Sequence, residues 1–315
     1  MTSEFELIAR YFARPVAGDG VDLGIGDDSA LLLPTPGHQL VVSVDTSVAG
    51  VHFPPDAPAH AIGHRALAVS LSDLAAMGAW PRWCLMALML TETDDEWLAE
   101  FARGFHALAD THGVSLAGGD VTRGTLAIGV TVHGELPTGQ ALTRGGASPG
   151  DLIAVTGALG SANGGLAAWQ AGLRDLADPL LAAYLLPQPR IEAGYRLREL
   201  ATAAIDISDG LLADLGHVCA ASGVGADIEQ EAIPRDDALI ERLGDTQALQ
   251  SALAGGDDYE LLIALPAERL EEARAALASI DVPLTPIGRF SRRPGIRGVP
   301  CDGPGGWQHF PGAAP

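Results

Sequence analysis

The chain of 315 residues contains no lysine, and all 19 of its basic residues are arginine. That absence excludes the P-loop and protein-kinase ways of gripping a nucleotide, because each places a lysine on the phosphates. Cysteine is scarce as well. Cys84, Cys219 and Cys301 stand far apart and form no CxxC pair, which argues against a disulfide framework or a zinc site and points to a reducing cytoplasm. The nine histidines show no HExxH-type spacing, so zinc is disfavoured again. There is no GxSxG elbow for a nucleophilic serine. The N-terminal MTSEFELIARYF lacks the basic-then-apolar order of a signal peptide. The apolar stretch Cys84–Leu90 is far too short to span a bilayer. A cytoplasmic protein with no membrane association is expected.

What the chain does have is acid. The formal net charge is −21, on a composition that is 47% hydrophobic and only 19% charged. Such a chain can build a sizeable core and is not disordered. The acidic balance argues against nucleic acid as a partner, but not against a nucleotide substrate, since bound metal reverses the local sign. The aspartates of interest sit in short clusters without bases: Asp27–Asp28, Asp45, Asp73, Asp120, Asp206 with Asp209, and Asp257–Asp258. Gathered carboxylates repel one another. Mg²⁺ is the usual counter-charge, because it takes oxygen ligands and shares them with substrate phosphates.

At this length about two domains are expected. Short strands at Ala30–Leu33 and Leu40–Val44 flank the turn Pro34-Thr35-Pro36-Gly37. Helical periodicity covers Ile62 to Met77, Leu85–Leu90 reads as a buried strand, and Asp95–His112 as a helix closed by Gly113. Alternation from Leu126 to Val132 predicts a half-buried strand. The Gly/Ser/Pro-rich Arg144–Gly150 marks the boundary, giving domains 1–148 and 149–315. The second half continues with strands at Leu152–Val155, Ala203–Ile207, Asp258–Ala264 and Leu284–Ile287. Helices fall near Ser161–Ala171, Arg190–Ala201, Leu211–Cys219 and Ala267–Ile280. Alternating strands and helices place the fold in the α/β or α+β class.

Each acidic segment also has an ordinary reading. Gly24–Ala30 and Gly255–Glu260 can be simple turns, since Asp and Gly form turns readily. Asp45 can be a polar strand end. Ala117–Arg123 can be a tight loop with a surface ion pair, or a glycine loop that lets backbone approach a phosphate. Ser208 and Asp209 fit normal capping at a helix start, which leaves Asp206 between two isoleucines unexplained. Asp73 is the only charged residue from Ala66 to Pro81, and a lone carboxylate among apolar side chains is costly unless paired or metal-bound. Gly157-Ala158-Leu159-Gly160 is a weak candidate for phosphate at a helix start. Ordinary readings serve each segment alone; several independent segments pairing acid with glycine favour a metal-phosphate site.

Taken together, Gly24–Ala30, SVDTSVAGVHF at Ser43–Phe53, LSDLAAMG at Leu71–Gly78, Gly118–Arg123, ALTRG at Ala141–Gly145, Ile205–Gly210 and Gly255–Leu261 resemble the thiamine-monophosphate kinase family. That family belongs to the aminoimidazole-ribonucleotide-synthetase-like superfamily of ATP-dependent enzymes. The resemblance implies a two-domain subunit whose N-terminal sheet forms a barrel-like centre in a homodimer. It implies the reaction of ATP with thiamine monophosphate to give ADP and thiamine diphosphate, with several Mg²⁺ ions. By position, Asp28, Asp45, Asp73, Asp120, Asp206 and Asp209 match its metal ligands, with Ser43 and Val44 as further metal contacts. Gly119, Asp120, Arg144 and Ser208 match its ATP site, and His52, Asp257 and Trp307 its thiamine-phosphate side. No general base is implied. The family commonly carries Glu where this chain has Asp257. Selenophosphate synthetases expect a reactive cysteine near the N-terminus and hydrogenase-maturation dehydratases one at the C-terminus; this chain has neither. Other synthetases of the superfamily, and a nucleotide or thiamine-phosphate binding protein without turnover, remain alternatives at this level.

Overall fold

The structure, a computed structural model, describes residues 4–14, 20–300 and 305–307; Cys301 lies outside them. The chain forms two compact units, one of residues 1–74 and 79–141, the other of residues 75–78 and 142–315.

In the first unit a short helix α1 (Glu4–Leu7) precedes a small antiparallel ribbon of β1 (Val21–Leu23) and β2 (Leu31–Leu32). Then follow β3 (His38–Val48), α2 (Ala59–Ala76), β4 (Trp80–Leu90), α3 (Asp95–His112), β5 (Ser115–Arg123) and β6 (Ala127–Pro137). The four long strands form one sheet in the order β3-β6-β4-β5. β3 and β6 pair antiparallel along their whole length. β4 and β5 pair parallel and therefore need the crossover that α3 supplies. The limits of α3 follow local chemistry. The Asp94 carboxylate accepts from the backbone N–H groups of Glu96 and Trp97, and Gly113 ends the helix in the left-handed region.

One face of this sheet buries Val130, Val132, Cys84, Met86 and Leu88. α2 lies on that side, its Ser70 hydroxyl donating to the Val130 carbonyl at 3.1 Å. Leu67, Leu71 and Leu74 of α2 are fully buried, each worth about 1.5–3 kcal/mol of transfer free energy. The alternate residues of β3 are uncovered: Leu40, Val42 and Val44 are 48%, 56% and 61% exposed. The β2–β3 turn is tied down by Glu135, whose carboxylate accepts from the Thr35 N–H (2.6 Å), the Thr35 hydroxyl (2.7 Å) and Arg82 (2.7 Å).

The second unit contains β7 (Leu152–Thr156), α4 (Ser161–Gln170), α5 (Pro179–Leu185), α6 (Ile191–Leu197), β8 (Ala203–Asp206), α7 (Leu211–Ser222) and β9 (Gly225–Ile228). It continues with α8 (Asp237–Leu243), α9 (Asp245–Ala254), β10 (Leu261–Leu265), α10 (Leu270–Ala278), β11 (Leu284–Ser291) and β12 (Ile296–Arg297). Its sheet runs β12-β9-β11-β7-β10-β8. Every pairing except β9 with β12 is antiparallel, so α+β describes this unit better than the α/β reading. β7, β8 and β10 are buried along their length. Leu211, Leu215, Val218 and Cys219 of α7 join Ile205, Leu262 and Ile287 of the sheet in one core.

β5, β9, α5, α8 and α9 were not expected. β5 carries Gly118-Gly119-Asp120, which read as a loop; Gly119 adopts φ +152°, and a Cβ there would lie 1.9 Å from the Met86 carbonyl oxygen. Glycine is required for close strand approach at that point, whatever else it serves. Among the described residues no helix is long and apolar enough to cross a membrane.

Candidate active site

In the first unit, β3 brings Ser43 and Asp45 beside Asp73 of α2. The Ser43 hydroxyl donates to the Asp73 carboxylate, and the Asp45 carboxylate shares with the Val130 carbonyl the single proton of the Ser70 hydroxyl, one helical turn before Asp73. Burial, and then repulsion from Asp73, raise the Asp45 pKa to about 6, against the pull of the Ser70 bond. Two neighbouring carboxylates framed by hydroxyls form a donor set of hard oxygens suited to Mg²⁺. Val44 presents its backbone within the ladder, opposite Thr131. Asp28 is exposed, in the segment between β1 and β2, and its N–H donates to Asp27 at 2.8 Å.

Gly119 and Asp120 lie on β5. The row Asp45–Val130–Met86–Gly119 crosses all four strands, so roughly 14 Å of sheet separates Asp45 from Gly119. Asp120 is exposed and within this unit does not join the Asp45–Asp73 pair. His52 follows β3, and its Nδ1 accepts the Val48 N–H at 2.9 Å. A neutral His52 therefore carries its proton on Nε2.

In the second unit, β8 ends at Asp206, which is buried, and the chain turns through Ile207, Ser208, Asp209 and Gly210 into α7. Ser208 is not the N-cap. The helix starts at Leu211 behind Gly210, without a side-chain cap. The capping group comes from inside the helix instead. Asp214 Oδ2 accepts the N–H groups of Ser208, Asp209 and Gly210, each at 3.1 Å. Burial and the nearby Asp209 raise the Asp214 pKa to about 7, opposed by those three bonds. The carbonyl side of the turn is held too. Ile207, Ser208, Asp209 and Gly210 accept from the N–H groups of Tyr259, Asp257, Trp307 and Asp214.

This brings Ser208, Asp209, Asp257 and Trp307 to one place. Asp257 and Tyr259 both take positive φ, 63° and 51°. Such non-glycine conformations cost about 1–3 kcal/mol each and collect at functional sites. The Tyr259 hydroxyl donates to the Asp257 carboxylate at 3.0 Å. Trp307 is exposed, and Arg144 stands exposed in the loop before β7. Asp209, Asp214 and His217 also form a group whose ligand atoms lie within 4.8 Å of one another.

The loop Gly157–Gly160 is not open to phosphate. Asp258 occupies the start of α4, accepting from the Gly160 N–H at 2.8 Å and the Ala162 N–H at 3.5 Å. Burial raises its pKa well above the usual carboxylate range, opposed by these bonds. Glu260 is equally committed: it takes the Thr156 hydroxyl at 2.6 Å and a two-point contact from Arg190. Sequence reasoning missed Asp214 and Tyr259. A signal for the first was present: a helix start preceded by glycine lacks a capping side chain, so an acid in its first turn is the next group able to reach back.

Residues 26–136 match the AIR synthase related protein N-terminal domain and residues 148–299 its C-terminal domain. The thiamine-monophosphate kinase of Salmonella typhimurium is 46% identical over 293 residues, covering 91% of this chain and 90% of the relative. The chain belongs to the thiamine-monophosphate kinase family. The crystal structure of the thiamine-monophosphate kinase from Stenotrophomonas maltophilia superposes with a TM-score of 0.87 at 48% identity, covering 92% of this chain and 94% of that one. AaThiL, solved in complex with AMPPCP and TMP, superposes with a TM-score of 0.79 at 31% identity, over 91% and 92% of the two chains. Members of this family therefore share both domains with this chain over nearly its full length.

Proposed function

We propose that this chain transfers the γ-phosphoryl group of ATP to the phosphate of thiamine monophosphate, giving ADP and thiamine diphosphate. The observation that carries the reading is the hub around Ser208–Gly210, where residues matching the family's nucleotide, metal and thiamine positions share one hydrogen-bonded backbone. A kinase relative at 46% identity supports it, as does a structural relative holding AMPPCP and TMP.

The acceptor is a phosphate monoester with a second pKa near 6. As a dianion it attacks without help from a base: its oxygen bonds to the γ-phosphorus while the bond to the β,γ-bridging oxygen breaks. The chain's task is to align two polyanions and offset their charge. Asp28, Asp45, Asp73, Asp120, Asp206 and Asp209, with the Ser43 hydroxyl and the Val44 backbone, would hold magnesium. When bound, magnesium supplies the positive charge that screens the facing phosphates. Gly119, Asp120, Arg144 and Ser208 bind ATP, Arg144 by its forked donors. His52 offers Nε2–H to the acceptor phosphate. Trp307 and Asp257 take the cationic thiazolium, one by its ring face and one by charge. Asp257 is one methylene shorter than the Glu common in the family, and the Tyr259 hydroxyl holds its carboxylate.

The uncovered Leu40, Val42 and Val44 of β3 form the kind of apolar face that another subunit covers, and a homodimer in the cytoplasm is our reading. A coupled ADP-release assay tests the function. With Mg²⁺, ADP should appear only when thiamine monophosphate is present, together with equimolar thiamine diphosphate. ADP release indifferent to thiamine monophosphate, or binding without turnover, would refute it.

A further inference from the structure

Family resemblance assigns Asp206, Ser208 and Asp209 but not the group that holds their backbone. That group is Asp214, 2% exposed, whose Oδ2 gathers three consecutive N–H groups. We propose that Asp214 is a positioning residue for the phosphoryl transfer: it holds the amides of Ser208, Asp209 and Gly210 so that the Asp206, Ser208 and Asp209 side chains meet metal and nucleotide in register. The inference rests on the function proposed above.

Two other roles are available, and each is separable from positioning. Asp214 could ligate metal with Asp209 and His217, whose ligand atoms lie close by. Oδ2, which already accepts three N–H bonds, has no lone pair left to give; Oδ1 could still reach a cation, and Asp214→Asn, which loses the anionic ligand but keeps an acceptor for the amides, separates ligation from positioning. Asp214 could also be needed only to start α7. Yet the turn is anchored elsewhere: its carbonyls are taken by the N–H groups of Tyr259, Asp257 and Trp307, and the Ile207 N–H donates to the Glu260 carbonyl. α7 in addition buries Leu211, Leu215 and Val218 in the core. Loss of the carboxylate therefore frees the amide side of the turn and leaves its attachment to the sheet. A displacement of about 1 Å in such a turn can cost about 10²-fold in rate, and removing a group that orients metal ligands costs about 10–100-fold in metal affinity.

The test compares Asp214→Ala, which removes the acceptor, with Asp214→Asn, which can place an amide oxygen where Oδ2 stands. Four quantities are measured: kcat, KM for thiamine monophosphate, Mg²⁺ affinity of the nucleotide-free protein by calorimetry, and hydrogen exchange of the peptide spanning residues 205–215. In Asp214→Ala we expect kcat to fall about 10²-fold and Mg²⁺ affinity about tenfold. Exchange at 208–210 should quicken and KM stay within about threefold; Asp214→Asn should recover most of each loss. A folded Asp214→Ala protein with wild-type kcat and Mg²⁺ affinity overturns the proposal, and so does an Asp214→Asn protein as impaired as Asp214→Ala. If Asp214→Ala does not fold, Asp214→Glu decides on the same criteria, because it keeps the charge but moves the oxygen by one methylene. Should the wild type itself lack kinase turnover, the functional reading fails, while the exchange and Mg²⁺ arms still judge the role of Asp214.

Discussion

The two units hold their acids in opposite ways. In the first, Asp45 is held beside the charge of Asp73, with the hydroxyls of Ser70 and Ser43 bonded to the pair. In the second, the turn that follows Asp206 has its backbone N–H and C=O groups from Ile207 to Gly210 engaged within the chain. The first arrangement stores unfavourable charge that a cation can relieve. The second spends hydrogen bonds to fix direction before any ligand arrives, which is how a protein lowers the reorganisation that a transition state would otherwise demand. On the function proposed above, a polyanion-to-polyanion transfer would draw on both: carboxylates whose charge a cation can satisfy, and a turn that does not wander.

The sharpest way to break this contrast is Asp73→Asn. It keeps the bond from Ser43 but removes a charge from the repelling pair, so kcat should fall about 10³-fold while the thermal midpoint in chelator does not drop. A variant retaining wild-type turnover would show that the first unit's carboxylates are not part of the reaction.

A smaller effect separates charge from packing. In metal-free protein the Asp45 pKa lies at about 6, above the usual 3.8. The folded state then holds a proton that the unfolded chain has lost, and stability falls as pH rises through that window. Asp45→Asn should match wild type near pH 4 and exceed it above pH 6, on the order of 2 kcal/mol in chelator. Magnesium should reverse the ranking. Unfolding midpoints across pH, with and without Mg²⁺, measure it; parallel curves would contradict the electrostatic reading.

The smallest expected effect is in the second unit. Gly256 has φ +68°, and a Cβ there would stand 2.7 Å from the Ser208 carbonyl oxygen. Gly256→Ala should cost about 1 kcal/mol of stability and lower kcat more than that loss alone explains, because it pushes directly on the Ser208–Asp209 turn. Denaturant midpoints paired with kcat check this, and an unchanged kcat would show that the turn tolerates displacement.

Much of this was legible in the chain. The strands β3, β7, β8 and β10 and the helices α2, α3 and α7 follow from apolar period, acids at helix starts and glycine at helix ends. β5 was hidden because Gly118 and Gly119 imitate a loop, and only the neighbouring Met86 backbone explains them. α8 and α9 follow each other closely across Gly244 and lack a strong apolar stripe to announce them. Ser208 looked like a cap because Ser beside Asp before an apolar run is capping chemistry. The better reading was Gly210 before the helix start, which leaves the first-turn acid Asp214 to reach back and take the bonds.

The sequence by itself determined what kind of charge this protein would manage. With no lysine and with aspartates scattered beside glycine and serine, any phosphate chemistry had to rest on carboxylate-bound cations and arginine, and that follows from residue type alone. Which carboxylates are committed to donors of the chain itself was decided only by tertiary structure. Asp258, Glu260 and Asp214 carry the same chemical groups as Asp45, Asp73 and Asp209, yet folding gives the first three to helix N–H groups, an arginine and a turn. A carboxylate's role depends on which donors reach it first, and those donors come from residues distant in the chain.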